Sequence, residues 1–189
     1  MSDEDRDRWD RRFATVGPGL PGPPTALAGR EDLVPGGDAA QRSSTRRPPG
    51  RALDLACGRG TVAVWLASRG LSTTAVDVSP EALRLTTALA AERGAEVTTV
   101  LADLDDGLPV SGPFDVVVCQ RFRAPTLYPA LPRLLAPGGL LVVSVLSTVG
   151  DEGGSYRAAP GELGAAFGHL EVLVDEEGQG EAHLVARVP

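Results

Sequence analysis

Apolar and polar positions along the chain fall into two regimes, and the boundary between them lies near Arg51. From there on, short apolar runs alternate with segments of helical period, the pattern of an α/β domain with a parallel sheet. Ala52 to Ala56 predicts a first strand. A helix follows from about Gly60 to Arg69, stopped by Gly70. Thr73 to Asp77 predicts a second strand. Ser79 is a natural N-cap, with Pro80 in the first helical position, for a helix running to about Arg93. Further strands are predicted at Glu96–Leu101, Phe114–Cys119 and Leu140–Leu146. Short helices are predicted around Ala130–Leu135 and Gly161–Phe167. The last two strands, His169–Asp175 and Glu181–Val188, flank Glu176-Glu177-Gly178-Gln179-Gly180, which reads as a hairpin turn.

The first fifty residues behave differently. Residues 1–13 are densely charged, but Trp9 and Phe13 stand four apart on one helical face. That spacing fits an amphipathic helix docked on the core, and equally a lid that closes over a ligand. Residues 14–50 are dominated by Pro and Gly, which remove hydrogen-bond donors and add unfolded-state entropy. Within them, Thr25–Val34 is the one helix candidate and Ala39–Arg47 reads as a surface loop. The region is expected to be mobile, or ordered only with ligand bound. Residues 51–189 form the expected main domain.

The densest chemistry lies in Arg51–Gly60, where a buried strand runs into a glycine-bearing turn. Asp54 stands near the end of that strand and Asp77 closes the next one. Strand, tight turn, helix, strand and acid is an arrangement that holds a nucleoside-bearing cofactor. Gly58, Gly60 and Ala63 satisfy the letters of a nicotinamide turn, although the register with the strand is displaced by two residues. A carboxylate at Asp54 would repel a pyrophosphate and suits a cofactor with a cationic end. A nucleotide-dependent oxidoreductase therefore stays open, behind a cofactor that carries an ammonium beside a sulfonium.

On Asp54-Leu55-Ala56-Cys57-Gly58-Arg59-Gly60, Asp77, Asp103-Leu104 and Pro137-Gly138-Gly139, the chain resembles the class I S-adenosylmethionine-dependent methyltransferases. Among them it resembles the short tellurite-resistance and thiopurine-type branch, on Phe114–Arg121, Leu127–Gly139 and Pro160–Leu163. The resemblance implies a Rossmann-like, seven-stranded, mostly parallel sheet with helices on both faces and a C-terminal antiparallel hairpin. It implies S-adenosylmethionine as cofactor, held by Asp54, Ala56, Cys57, Gly58, Gly60, Asp77, Val78, Asp103, Leu104 and Cys119. Asp77 would take the ribose hydroxyls and Asp103 the adenine amino group. Asp77 as a helper to the following helix, and Asp103 as part of a solvated acidic loop, are the plainer readings. Ala56 stands where the family's first glycine usually is, and is tolerated if it keeps a negative φ.

Composition narrows the acceptor. The net charge of −7 disfavours nucleic acid and anionic membrane as partners. No apolar run of about 18 residues exists for a membrane span, and the charged N-terminus is not a secretory signal. A cytoplasmic monomer or homodimer acting on a small molecule is expected. Cys57 and Cys119 read as reduced and half-buried, and no metal site is expected. Cys119-Gln120-Arg121-Phe122 departs from the family's base-amino motif. What remains is a thiol or chalcogen oxyanion, with Arg121 and Arg123 as candidate acceptor-orienting residues and Tyr128 and Tyr156 as candidate walls. His169 and His183 are placed in strands, away from any general-base position. A non-catalytic S-adenosylmethionine-binding module acting through a partner is the remaining alternative.

Overall fold

The computed structural model describes residues 3–36, 49–151, 154 and 156–189. Seven strands lie in the order β3-β2-β1-β4-β5-β7-β6, the mixed, Rossmann-like sheet expected from the sequence. The chain forms two compact units, Met1–Pro23 with Pro35–Ser111, and Pro24–Val34 with Gly112–Pro189.

In the first unit, β1 (Arg51–Leu55), β2 (Ser72–Asp77) and β3 (Val97–Leu101) run parallel. Helix α1 spans Asp3–Ala14, α2 Thr61–Ser68 and α3 Pro80–Glu92. Helix α2 is almost wholly apolar and buries Val62, Ala63, Val64 and Leu66. Helix α3 starts as its sequence dictates: Ser79 Oγ accepts from Ala82 N at 3.1 Å, and Pro80 follows the cap. Its inner face, Ala82, Leu83, Leu85, Thr86, Leu89 and Ala90, is buried. Val64, Leu89 and Ala90 form one core cluster, against which Ala95 and Val97 pack.

The second unit holds β4 (Phe114–Gln120) and β5 (Leu135–Leu146) in parallel, with β7 (Glu181–Arg187) antiparallel to both β5 and β6 (Glu171–Gly178). Helix α4 spans Glu162–Phe167. Strand β5 starts earlier than expected. Its register with β4 jumps from Phe114↔Leu135 to Val116↔Leu140, so Pro137-Gly138-Gly139 forms an irregularity inside the strand rather than a loop before it. The hairpin is also tighter than expected. Glu176 and Glu177 belong to β6, and Gln179 and Gly180 turn the chain with φ of 53° and 82°, both left-handed as a two-residue turn requires.

The helix candidate at Thr25–Val34 is instead two 3-10 turns, Thr25–Leu27 and Glu31–Leu33, separated by Gly29 at φ 75°. The Pro/Gly stretch before it has no regular structure but is tied down: Gly22 N donates to Thr61 O at 3.2 Å and Arg59 Nη1 to Gly17 O at 3.2 Å. The expected surface loop Ala39–Arg47 lies outside the described residues. No helix among the described residues is long and apolar enough to cross a membrane.

Candidate cofactor site and acceptor-side cluster

Parallel strands leave their carboxyl ends at one edge, so Asp54 near the end of β1, Asp77 at the end of β2 and Asp103 just after β3 lie along one edge of one unit. Asp77 organises the turn after β1. Its Oδ2 accepts from Gly58 N at 2.8 Å and its Oδ1 from Ser79 N at 2.9 Å. Each carboxylate oxygen keeps a second lone-pair direction, enough for two further donors. Burial raises the Asp77 carboxyl above its ordinary range, and the N–H groups of Ser79 and Gly58 oppose that rise.

Asp54 is more isolated. It is 2% exposed, and its Oδ2 has no hydrogen-bond partner. Burial pushes its carboxyl up to about 8; the N–H of Ala63 works against this and the charge of Asp77 adds to it. Cys57 is affected by the same surroundings. Burial, then the charges of Asp54 and Asp77, hold its thiol well above the usual range, so it stays protonated and is no nucleophile.

The turn itself is strained at one residue. Ala56 has φ 54°, against the negative φ expected for a tolerated alanine. Ala56, Gly58 (φ 54°) and Gly60 (φ 75°) all adopt left-handed backbone, because the chain must reverse from strand to helix within five residues. We expect Ala56→Gly to raise stability by up to about 1 kcal/mol, the left-handed penalty less the extra entropy of glycine. Denaturant unfolding checks this, and a loss of stability would contradict the assigned strain.

Around the turn, Phe13 sits 3.2 Å from the position a Gly58 Cβ would take. Trp9 stacks on Phe13 at 5.9 Å. Asp10 accepts from the hydroxyl of Ser79 and, at 3.3 Å, from Glu81 N, which fastens α1 to the start of α3. Asp103 is half-buried and caps its own loop, accepting from Asp105 N at 2.9 Å. Burial pushes its carboxyl up, but the Asp105 N–H and nearby positive charges, Arg6 among them, together hold it below the usual range. Val78 and Leu104 are buried at 8% and 4% exposure, walls rather than polar partners.

The remaining candidates belong to the second unit. Cys119 is buried at the end of β4, and its thiol donates to Phe122 O at 3.3 Å. Neither candidate arginine points an unengaged guanidinium outward. Arg121 donates to Glu181 Oε1 at 3.0 and 2.5 Å, and Arg123 makes a two-pronged pair with Glu162 at 2.8 and 2.7 Å. Tyr128 is buried and donates to the same Glu162 at 3.1 Å. Burial, then the Glu162 charge, raises its phenol far above the ordinary value. Tyr156 is 62% exposed.

Strand register assembles a group of residues that the sequence reading left out. Gln120, Ser144, His183 and Glu176 face one another in a single row across β4, β5, β7 and β6. Ser144 Oγ lies 3.2 Å from His183 Nδ1, and His183 Nε2 lies 3.5 Å from Glu181 Oε2. Thr25 N donates to Gln120 Oε1 at 2.8 Å, Thr25 Oγ1 lies 3.4 Å from Ser144 Oγ, and Arg30 pairs with Glu176 at 2.6 Å. Thus His183 lies within β7, as expected, and stands beside a hydroxyl there. Its signal was the antiparallel pairing of β5 with β7, which no local pattern carries.

In the first unit's turn the residues fit a cationic adenosyl ligand. A buried carboxyl oxygen without a partner offers an ammonium an acceptor, and gives a pyrophosphate no donor or positive charge. Residues 52–139, just under half of the chain, match the family model described as a methyltransferase domain. The chain is similar to the ubiquinone biosynthesis O-methyltransferase of Caulobacter sp. (strain K31), 35% identical over 103 residues, covering 51% of this chain and 41% of that protein. It is also similar to the ribosomal RNA small subunit methyltransferase C of Alcanivorax borkumensis, 34% identical over 103 residues, covering 49% of this chain and 31% of that one. The chain thus spans less than half the length of these curated relatives. Among solved structures, TehB from Haemophilus influenzae shares the fold, with a TM-score of 0.66, 19% identity, and coverage of 98% of this chain and 67% of that one. Residues 52–139 thus match a methyltransferase domain, and the fold of the chain is similar to that of TehB.

Proposed function

We propose that the protein transfers the methyl group of S-adenosylmethionine to a small-molecule acceptor, a thiol or a chalcogen oxyanion. The observation that carries the cofactor half is the buried, partnerless Oδ2 of Asp54 beside Asp77 in a glycine turn. When bound, S-adenosylmethionine supplies a methyl group on a cationic sulfur. Asp77 accepts the ribose hydroxyls with its two spare lone-pair directions, and Asp54 faces the ammonium. Asp103 takes the adenine amino group, and Phe13 covers the turn. Catalysis is then largely positioning for an in-line displacement.

On the acceptor side, Arg121 and Arg123 are each neutralised by a glutamate. This favours a thiol over an oxyanion, since an anionic acceptor would have to compete with those carboxylates. A hydroxyl acceptor is the second reading, supported by His183 beside Ser144 and by the O-methyltransferase among the relatives. The net charge of −7 weighs against a nucleic-acid acceptor, although one relative bears the name of a ribosomal RNA methyltransferase.

The test is transfer of labelled methyl from S-adenosylmethionine to dithiothreitol, selenite, tellurite, catechol and a short RNA. Label on the thiol is the expected result. Label on catechol alone favours the second reading. Tight cofactor binding with no transfer to any of them leaves a binding module acting through a partner.

A further inference from the structure

Among the described residues, the groups that act on Asp54 bring it no positive charge. Helix α2, whose Ala63 N–H donates to this carboxyl, contains no ionisable side chain (Thr-Val-Ala-Val-Trp-Leu-Ala-Ser). Strand β2 contributes Asp77, and the turn contributes the Cys57 thiol. The nearby bases are turned elsewhere: Arg59 is exposed and bonds Gly17 O, and Arg51 is exposed at the far end of β1. An ionised carboxylate with one oxygen buried and unbonded, next to a second acid, is far costlier than the neutral acid.

We propose that Asp54 is a proton-exchange site, a neutral carboxylic acid in the ligand-free protein that gives its proton to solvent as the ammonium of an S-adenosyl amino acid takes up position at Oδ2. The inference rests on the cofactor reading above and adds a charge-selection step to it. The O–H bond of Asp54 breaks and the proton passes to the buffer. The ligand ammonium keeps its three protons and donates one hydrogen bond to the new carboxylate. Ligands without an ammonium leave the acid neutral.

The sign follows from competition between proton and ligand cation. With the free carboxyl pushed up to about 8, protons compete with the ligand below that pH. Affinity therefore rises with pH, by up to about tenfold per unit between roughly pH 6 and 8, and levels off above.

The experiment is calorimetric titration of the full chain with S-adenosylhomocysteine at pH 7 in phosphate and in Tris, whose ionisation enthalpies differ. A series at pH 6, 7 and 8 in one buffer accompanies it. Release of about half to one proton per ligand is expected, with the dissociation constant falling as pH rises. Asp54→Asn should lose both the proton release and the pH slope. Binding with no buffer dependence and a flat pH series overturns the proposal, as does unchanged release in Asp54→Asn. Should that variant fail to fold, the wild-type buffer and pH series decide alone. Absence of binding at every pH overturns the cofactor reading itself, and the proton exchange with it.

Discussion

Asp77→Ala is expected to weaken S-adenosylhomocysteine binding by at least about a hundredfold. Two effects combine. Under the proposed cofactor reading, the ribose hydroxyls lose a charged acceptor, each such hydrogen bond being worth about 1.5–3 kcal/mol. The turn also loses its organiser, since Asp77 fixes Gly58 N and Ser79 N with opposite oxygens. Asp77→Asn separates the two. An amide has one acceptor oxygen, so it keeps one of the two backbone bonds and half of the ribose contact, and its binding should fall between wild type and alanine. Calorimetry on all three proteins, with circular dichroism as a check on folding, tests this. Binding of the alanine variant within threefold of wild type would remove Asp77 from the cofactor site.

Gly60→Ala carries the largest expected loss of stability, on the order of 2–4 kcal/mol. Gly60 sits at φ 75°, where a Cβ costs about 1–2 kcal/mol. That Cβ would also lie 2.5 Å from both Cγ2 and Oγ1 of Thr86. The Thr86 side chain cannot move aside cheaply: it is fully buried and its hydroxyl donates toward Gly58 O and Ala82 O at 3.1 and 3.0 Å. A double-mutant cycle with Thr86→Ala apportions the two causes. In that background Gly60→Ala should cost less, but more than the backbone share of about 1–2 kcal/mol, because the Cβ that alanine keeps at position 86 still lies 2.7 Å from the added methyl. An unchanged cost would show that the outer atoms of Thr86 contribute nothing to the clash.

The halves of the molecule differ in how far the sequence discloses them. The alternation of strand and helix from Arg51 to Glu92 is written in local signals: apolar runs, the Ser79-Pro80 cap, the glycines after each helix. These act within a few residues, so both the elements and the acids at their ends were readable. The conformation of Ala56 was not, because a residue's φ in a turn is imposed by the strand and helix it must join, and its own side chain opposes that choice. The early start of β5 and the extent of β6 likewise depend on pairing partners distant in sequence. The acceptor-side cluster was least readable. Whether Arg121 meets Glu181, and His183 meets Ser144, is decided by strand register over separations of 60 and 39 residues, which no pattern of neighbours encodes. Two arginines that read as available for a substrate are in fact engaged by carboxylates.

The tie between Thr25 and the row Gln120–Ser144–His183 has a consequence for the order in which the protein is made. The segment Pro24–Val34 is synthesised before all of the strands it covers, yet β4, β5 and β7 follow it by some eighty residues or more. During synthesis Ala26, Leu27 and Val34, each at most 2% exposed in the finished fold, have no surface of their own unit to bury against. The second unit cannot close until its first-made piece joins the strands made last. A fragment holding residues 112–189 alone would leave its sheet uncovered, and a peptide of residues 24–34 supplied separately is the piece that would complete it.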